Sequence, residues 1–198
     1  MPLSREHKMK TRTRIVEAAR RLFNKRGFST VPIDDIMAEA GLTRGGFYNH
    51  FKAKEDLYAE ALTAFADTAK AAVQTSPKRG PSLARRFIRG YISRRHLNSI
   101  ENQCPLIALS SDVARAGPTV RTAYEAFLKN LIGMFQEAAL EKPATANTVL
   151  TARERSLAAA AICVGAMVLA RTVEDKTLAG EICDASRKLA EETITATA

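Results

Sequence analysis

Apolar residues recur at intervals of three and four along nearly all of this 198-residue chain, and that spacing is the strongest constraint on its fold. Between about residues 10 and 26, for example, Ile15, Ala18 and Leu22 fall on one helical face. No run of convincing length alternates apolar and polar residues as a β-strand requires. The sequence therefore predicts an all-α protein of about nine helices.

The stretch AEAGLTRGGFYNHF, residues 38–51, has the spacing of a helix-turn-helix. Gly41 is placed to reverse the chain after a helix that Thr30 would cap. Thr43 would cap a short third helix that reaches about His50. This spacing alone is also a common way to build a small helical core, so it does not decide between a structural and a DNA-binding role.

Gly45 and Gly46 lie in the first turn of that third helix, where each costs about 1 kcal/mol of helix stability relative to alanine. In a recognition helix this turn enters the major groove, and glycine lets the backbone approach phosphates and bases closely. Arg44 can reach a base edge, with guanine the favoured partner. The predicted DNA-binding residues are Thr11, Arg12, Arg14, Thr30, Thr43, Arg44, Gly45, Gly46, Tyr48, Asn49, His50, Lys52 and Lys54.

Positive charge is concentrated at the N-terminal end of the chain. Residues 1–28 hold nine Lys or Arg against two Glu, a net charge of +7 out of the total of +9. A basic block of this kind favours a polyanion such as nucleic acid or an anionic membrane surface. The alternative is a solubilising leader without a partner.

Residues 11–57 resemble the DNA-binding domain of the TetR family of bacterial transcriptional regulators. The resemblance is carried by IVEAARRLFNKRGFSTVPIDDIMAEAGLTRGGFYNHFKAKEDL. Two positions depart from the family pattern: Met37 replaces the usual Ala, and Ala53 replaces the Ser or Asp that commonly caps the fourth helix. Losing such a cap costs about 1 kcal/mol. Neither position lies on the face that would enter the groove.

The resemblance implies a three-helix DNA-binding domain at residues 1–53 and a ligand-binding and dimerisation domain at 54–198. It implies a homodimer, most often a repressor, that leaves an inverted-repeat operator on double-stranded DNA when a small hydrophobic ligand binds. Repression is the default because occupying a promoter needs no further contacts, although activation stays open. The expected location is the bacterial cytoplasm, on the nucleoid when bound to DNA, with no membrane partner.

The ligand pocket is expected among the fourth to eighth helices. A filled core is the alternative for each candidate side chain, and no arginine cluster or carboxylate pair indicates the charge of a ligand. The candidate pocket residues are Phe65, Phe87, Tyr91, Cys104, Ile107, Tyr124, Phe127, Leu131 and Met134.

The run LAAAAICVGAMVLA, residues 157–170, is apolar on nearly all sides and contains small residues that permit close helix packing. It favours a dimer interface formed by the last two helices, with a monomer core as the alternative. The candidate interface residues are Leu157, Ala161, Val164, Gly165, Val168, Leu169, Ile182 and Leu189.

Three cysteines without a CxxC spacing predict neither a disulfide framework nor a zinc site. Cys163 and Cys183 are expected to be buried. Cys104 precedes Pro105 at a predicted helix start, which raises the alternative of a regulator that senses electrophiles or oxidants through this thiol.

An enzyme requires a catalytic constellation, and the sequence has no HExxH, no GxSxG and no phosphate-binding glycine loop. A membrane-surface protein would need aromatic residues on its cationic face. We therefore expect neither an enzyme nor a membrane-surface protein, and no metal or cofactor.

Overall fold

The computed structural model describes residues 5–141 and 150–195, and within this part of the chain every regular element is a helix. The prediction of an all-α fold is confirmed. Residues 142–149, predicted as part of a loop, lie outside the described residues. The α-helices are α1 (Arg5–Arg26), α2 (Ile33–Glu39), α3 (Lys54–Gln74), α4 (Gly80–Tyr91), α5 (Arg94–Asn98), α6 (Pro105–Ala108), α7 (Ser110–Arg115), α8 (Pro118–Glu141), α9 (Ala152–Thr172) and α10 (Lys176–Thr195), and two 3₁₀ helices cover Arg44–Asn49 and Ile100–Asn102.

The described residues form more helices than predicted, because two predicted helices are each divided and Ile100–Asn102 forms an additional 3₁₀ helix. Ser93 ends the first of them and caps α5, since its hydroxyl accepts a hydrogen bond from the His96 backbone N–H at 3.2 Å. The second break lies at Leu109, whose backbone leaves the helical region at φ −125° and ψ 5°. Helix α1 starts at Arg5, about five residues before the predicted start.

Two compact units divide the chain. The first contains the described residues of Met1–Asp67 together with Cys104–Phe127, and the second contains those of Thr68–Gln103 and Leu128–Ala198. The predicted division after residue 53 concerns function and stays a prediction. Helix α3 begins at that position, because Lys54 is its first residue.

The first unit has a core in which three aromatic rings meet. The rings of Phe23 and Tyr58 meet edge to face at 5.2 Å, and Phe28 stacks on Tyr58 with the ring centres 4.4 Å apart. We call Phe23, Phe28 and Tyr58 the aromatic cluster. Phe23 and Tyr58 are fully buried, so the cluster joins α1 to α3 through contacts that exclude water.

The second unit is built on α9 and α10, which pack along each other, with α4 against α10. Helix α9 begins with a capping box, in which Thr151 and Glu154 satisfy each other's backbone N–H groups. Burial of Cys163 and Cys183 is confirmed, and it raises the pKa of the Cys163 thiol to about 12. By length and composition α9 could cross a bilayer, a test that the core helix of a soluble protein also passes.

Candidate nucleic-acid interface

The turn between α2 and the 3₁₀ helix Arg44–Asn49 depends on Gly41. Its φ of +67° lies in the left-handed region that favours glycine. The Gly41 N–H donates to the Ala38 carbonyl at 2.9 Å, and the Leu42 N–H donates to the Met37 carbonyl at 2.8 Å. These two bonds form a Schellman motif, which satisfies carbonyls at the end of α2. The predicted role of Gly41 in the turn is confirmed.

We call Arg44–Asn49 the recognition segment. Its bounds agree with the predicted third helix, but it is a 3₁₀ helix rather than an α-helix. Two adjacent glycines and a length of six residues favour this tighter form, which proteins use in short pieces. Phe47 anchors the segment, since it is fully buried and its ring lies 5.6 Å from that of Phe51.

The predicted caps differ from the observed ones. Pro32 precedes α2 as its cap residue, and the Thr30 hydroxyl instead donates to carbonyl groups at the end of α1. Thr43 occupies the cap position of the recognition segment, but its side chain makes no capping hydrogen bond. At α3, the missing cap at Ala53 is partly replaced, because the Asp56 carboxylate accepts from the Ala53 N–H at 3.1 Å.

Most of the recognition segment is open to solvent. Thr43, Arg44, Gly45, Tyr48 and Asn49 are exposed, and 61% of the Tyr48 surface is accessible. The Arg44 guanidinium lies 3.1 Å from the Asp34 carboxylate, and both side chains are well exposed. Such a pair contributes little stability, about 0–1 kcal/mol, so Arg44 can exchange it for another partner at small cost.

The two glycines of the segment have no steric role inside the chain. A Cβ atom added at Gly45 would meet nothing within 4 Å, and one at Gly46 would make ordinary contact with the Met37 side chain at 3.5 Å. Neither has a positive φ. The fold itself therefore tolerates a side chain at Gly45.

Two arginines predicted to clamp the DNA backbone also hold the helices together. Arg12 donates to the Glu60 carboxylate and to the His50 carbonyl, and its guanidinium lies 4.1 Å from the centre of the Phe51 ring. Arg14 donates to the Ala40 carbonyl at 2.5 Å. These contacts fix α1 against the end of α2 and the recognition segment.

A small cavity of about 380 Å³ lies between the start of α1 and the recognition segment. Burial, followed by the charges of Lys8 and Arg12, lowers the pKa of His50. The His50 ring is therefore neutral at pH 7. The residues lining the cavity are His7, Lys8, Thr11, Leu42, Gly46, Asn49 and His50.

His7 and Lys8, which line this cavity, are not among the residues that the sequence predicts to bind DNA. The basic N-terminal block gave the signal for them, but the first helix was expected to start after both. Thr11 is buried and lines the cavity, whereas Arg12 and Arg14 are turned to internal partners.

The two lysines predicted to contact DNA differ in how far they are buried. Lys52 is exposed. Lys54 is half-buried, donates to the Phe28 carbonyl, and has its ammonium 4.3 Å from the Phe28 ring centre. Burial lowers the pKa of Lys54. The contacts of Lys54 favour a structural role over the predicted phosphate contact.

The predicted ligand-pocket residues are not gathered at one site. Phe87 and Tyr91 line an open cleft of the second unit. In the first unit, Phe65 packs against Phe127 and the Tyr124 hydroxyl donates to the Leu106 carbonyl at 3.2 Å.

Ile107, Phe127 and Leu131 are buried, Met134 is half-buried, and none of them lines the open cleft. Cys104 directly precedes α6, as predicted, and is buried. Sensing an electrophile through this thiol would require it to become accessible.

Several of the predicted interface residues are exposed. Leu157, Leu169 and Leu189 have 43%, 58% and 53% of their surface accessible. Ala161 is exposed too, and the others, Val164, Gly165, Val168 and Ile182, are half-buried.

Among the residues described, no group of three or more His, Cys, Asp or Glu side chains could hold a metal ion.

Comparison with known proteins agrees with a helix-turn-helix in this part of the chain. A family model described as "Bacterial regulatory proteins, tetR family" matches residues 15–61. The HTH-type transcriptional regulator AcrR of Shigella flexneri is 40% identical over 57 residues, which cover 29% of this chain and 26% of that protein. The HTH-type transcriptional repressor DhaR of Mycobacterium sp. (strain GP1) is 25% identical over 131 residues, 66% of each chain.

The alignments with the first relatives span only 27% and 26% of those proteins' own length. Over the whole chain, the fold is similar to that of a TetR transcriptional regulator from Chloroflexus aurantiacus. The TM-score is 0.76 at 23% identity, with 97% of this chain and 98% of the other covered.

Both relatives are named as transcriptional regulators. Residues 15–61 thus match the helix-turn-helix domain of the tetR family of bacterial regulatory proteins, and the fold of the whole chain is similar to that of a TetR transcriptional regulator.

Proposed function

We propose that this protein represses transcription as a homodimer on an inverted-repeat operator, and that a small molecule bound by the C-terminal domain releases it. The observation that carries the proposal is the recognition segment, in which Arg44, Tyr48 and Asn49 project into solvent from a turn with two glycines. Since the protein would act where bacterial DNA lies, we infer that it works in the cytoplasm.

Repression is favoured over activation for two reasons. A protein that covers a promoter blocks transcription without any further contact. In addition, the relative DhaR, which aligns over 66% of this chain, is itself described as a repressor.

The individual contacts follow from what is exposed. Arg44 is placed to read a base edge, and Thr43, Tyr48, Asn49 and Lys52 to contact phosphate or sugar oxygens. Lys8 and Thr11 line the neighbouring cavity, where a phosphate oxygen could be held close to positive charge.

Gly45 offers the sharpest test of DNA binding. Gly45→Leu should leave the free energy of unfolding within about 0.5 kcal/mol, because its side chain enters open space. On DNA, the same side chain would occupy the space between backbone and groove, so we expect affinity to fall at least about tenfold, or 1.4 kcal/mol. Fluorescence anisotropy with duplexes from the protein's own promoter region measures this.

Gly117→Leu is the matched control, because Gly117 is also exposed, has no positive φ, and has open space around its Cβ position. It should bind DNA like the wild type. Equal affinities for the two variants would remove the recognition segment from the interface. Failure of the wild type to bind any duplex would overturn the proposed function as a whole.

The dimer is supported by large apolar side chains that the single chain leaves exposed on α9 and α10, including Leu169 and Leu189. Two-fold symmetry would place two recognition segments on half-sites about one helical turn apart or slightly more, roughly 34–36 Å for one turn. We expect Leu169→Glu to give monomers in sedimentation velocity. Leu140→Glu on α8, where 63% of the leucine is accessible, should stay dimeric.

A further inference from the structure

The second unit contains an open cleft of about 560 Å³, within the size range of small-molecule sites. It lies among the end of α3, the residues that follow it, α4 and the start of α5. Its lining is mostly apolar and includes no carboxylate among the described residues. The lining residues are Ala69, Ala72, Val73, Thr75, Ser76, Pro77, Leu83, Arg86, Phe87, Gly90, Tyr91 and His96.

One wall of the cleft is aromatic. The Phe87 and Tyr91 rings stack with their centres 5.3 Å apart and their planes at 29°. Phe87 is held in place by Phe135, which is fully buried and meets it edge to face at 5.8 Å. A flat apolar molecule would therefore find a wall whose rings are already positioned.

The segment of the chain that forms the cleft is strongly basic. Residues 68–103 contain eight Lys or Arg and a single acidic residue, Glu101, contrary to the expectation that the body has no arginine cluster. Arg85 and Arg89 are already paired with Glu191. Arg86 lines the cleft, and no ion pair or hydrogen bond joins its side chain to any residue in the described part of the chain.

His96 adds no charge to the lining. Its Nδ1–H donates to the Tyr91 carbonyl at 2.8 Å, and burial lowers its pKa, so the ring is neutral at pH 7. The charged side chain of the lining at that pH is Arg86, whose planar guanidinium suits a carboxylate.

We propose that this cleft binds a small, flat, apolar organic acid, with its ring system against Phe87 and Tyr91 and its carboxylate on Arg86. The proposal deepens the proposed function by giving the chemical class of the ligand. It rests on that function only for the consequence of binding, which is release of DNA.

Three probes that share one ring system test the class. Naphthoate, naphthylmethanol and naphthylmethylammonium are titrated separately into the full-length protein by calorimetry, without DNA. We expect naphthoate to bind most tightly, the alcohol about tenfold more weakly, and the ammonium compound not measurably, since only the first can pair with Arg86.

Variants of the cleft test the location. Arg86→Gln should weaken naphthoate about tenfold and leave the alcohol unchanged, whereas Arg95→Gln, an exposed arginine of the same segment outside the lining, should change neither. Gly90→Leu should abolish binding of all probes. A Cβ at Gly90 meets nothing within 4 Å, so leucine fills the cleft without straining α4.

Several results would overturn the proposal: no binding of naphthoate to the wild type, tighter binding of the alcohol or ammonium compound, or unchanged binding to Gly90→Leu. The proposed function is tested separately, by adding naphthoate to the protein–duplex complex. If naphthoate binds as predicted but does not release DNA, the ligand class stands and the release mechanism fails.

Discussion

The recognition segment and the aromatic cluster belong to the same compact unit, and each carries a cation that the sequence assigned to DNA. Arg44 is two-thirds exposed and pairs with Asp34 at the surface. Lys54 donates to the Phe28 carbonyl and lies over the Phe28 and Phe23 rings. The positive charge of Arg44 thus faces solvent, whereas that of Lys54 binds groups inside the fold.

The difference shows that a cation in a helix-turn-helix domain must be assigned by what surrounds it. The peptide groups of Phe28 are held from two directions, since Lys54 binds its carbonyl and the Asp112 carboxylate accepts from its N–H at 3.1 Å. In the recognition segment, by contrast, the polar ends of the side chains make few hydrogen bonds or ion pairs within the fold. One region is therefore closed by internal contacts, and the other leaves its polar side chains exposed to solvent.

The largest effect should come from deleting a ring of the aromatic cluster. Phe23→Ala leaves a cavity in a fully buried site and should lower the free energy of unfolding by about 3–5 kcal/mol, measured by urea denaturation. Tyr48→Ala in the recognition segment is the matched control and should change it by less than about 0.5 kcal/mol. Equal losses for both would erase the distinction between the two regions.

Arg44→Ala should act on DNA instead of on the fold. We expect a loss of about 1–3 kcal/mol in binding to the preferred duplex, with weaker discrimination against substituted duplexes, because a base contact is removed. Competition binding with single-base variants of the duplex measures it. A uniform loss across all duplexes would assign Arg44 to the phosphate backbone.

Lys54→Met keeps the methylene chain and removes the charge. It should lower the free energy of unfolding by about 1–2 kcal/mol, through the lost hydrogen bond to the Phe28 carbonyl and the lost cation–π contact. The salt dependence of DNA binding should stay as in the wild type. Lys52→Met, an exposed neighbour, should show the reverse: unchanged stability and a salt slope reduced by about 1.

If Lys54→Met instead kept full stability and reduced the salt slope, Lys54 would be a phosphate contact, as its position in the sequence suggested.

The sequence predicted those features of the structure that depend on residues close together in the chain. Gly41 could be assigned to the turn because few residues other than glycine adopt its φ, and the bounds of the recognition segment followed. The partner of Phe28 could not be predicted, because Asp112 lies 84 residues away and has no local signal. In the cleft, helical periodicity identified Phe87 and Tyr91 as inward-facing, but periodicity does not show which apolar faces remain uncovered by other helices.

The smallest predicted effect concerns the Tyr58 hydroxyl, which is buried and has no hydrogen-bond partner among the described residues. Tyr58→Phe should therefore raise the free energy of unfolding at pH 7 by about 1 kcal/mol, because an unsatisfied polar group leaves the core. Tyr124→Phe is the contrasting variant, since the Tyr124 hydroxyl donates to the Leu106 carbonyl and its loss should destabilise the fold.

Burial, with smaller contributions from Asp112 and Tyr124, raises the pKa of Tyr58 above its ordinary value of 10.0, and burial raises that of Tyr124 to about 12. The unfolded chain therefore loses these protons first, so the contribution of the two tyrosines to stability is constant below about pH 10 and falls above it. Removing the Tyr58 hydroxyl should make this fall shallower by about 1.4 kcal/mol per pH unit. Urea denaturation between pH 9 and roughly pH 11 measures it. If the dependence of stability on pH were unchanged in Tyr58→Phe, the Tyr58 hydroxyl would already be in contact with water in the folded protein. The aromatic cluster would then not exclude water, and its contrast with the exposed recognition segment would be lost.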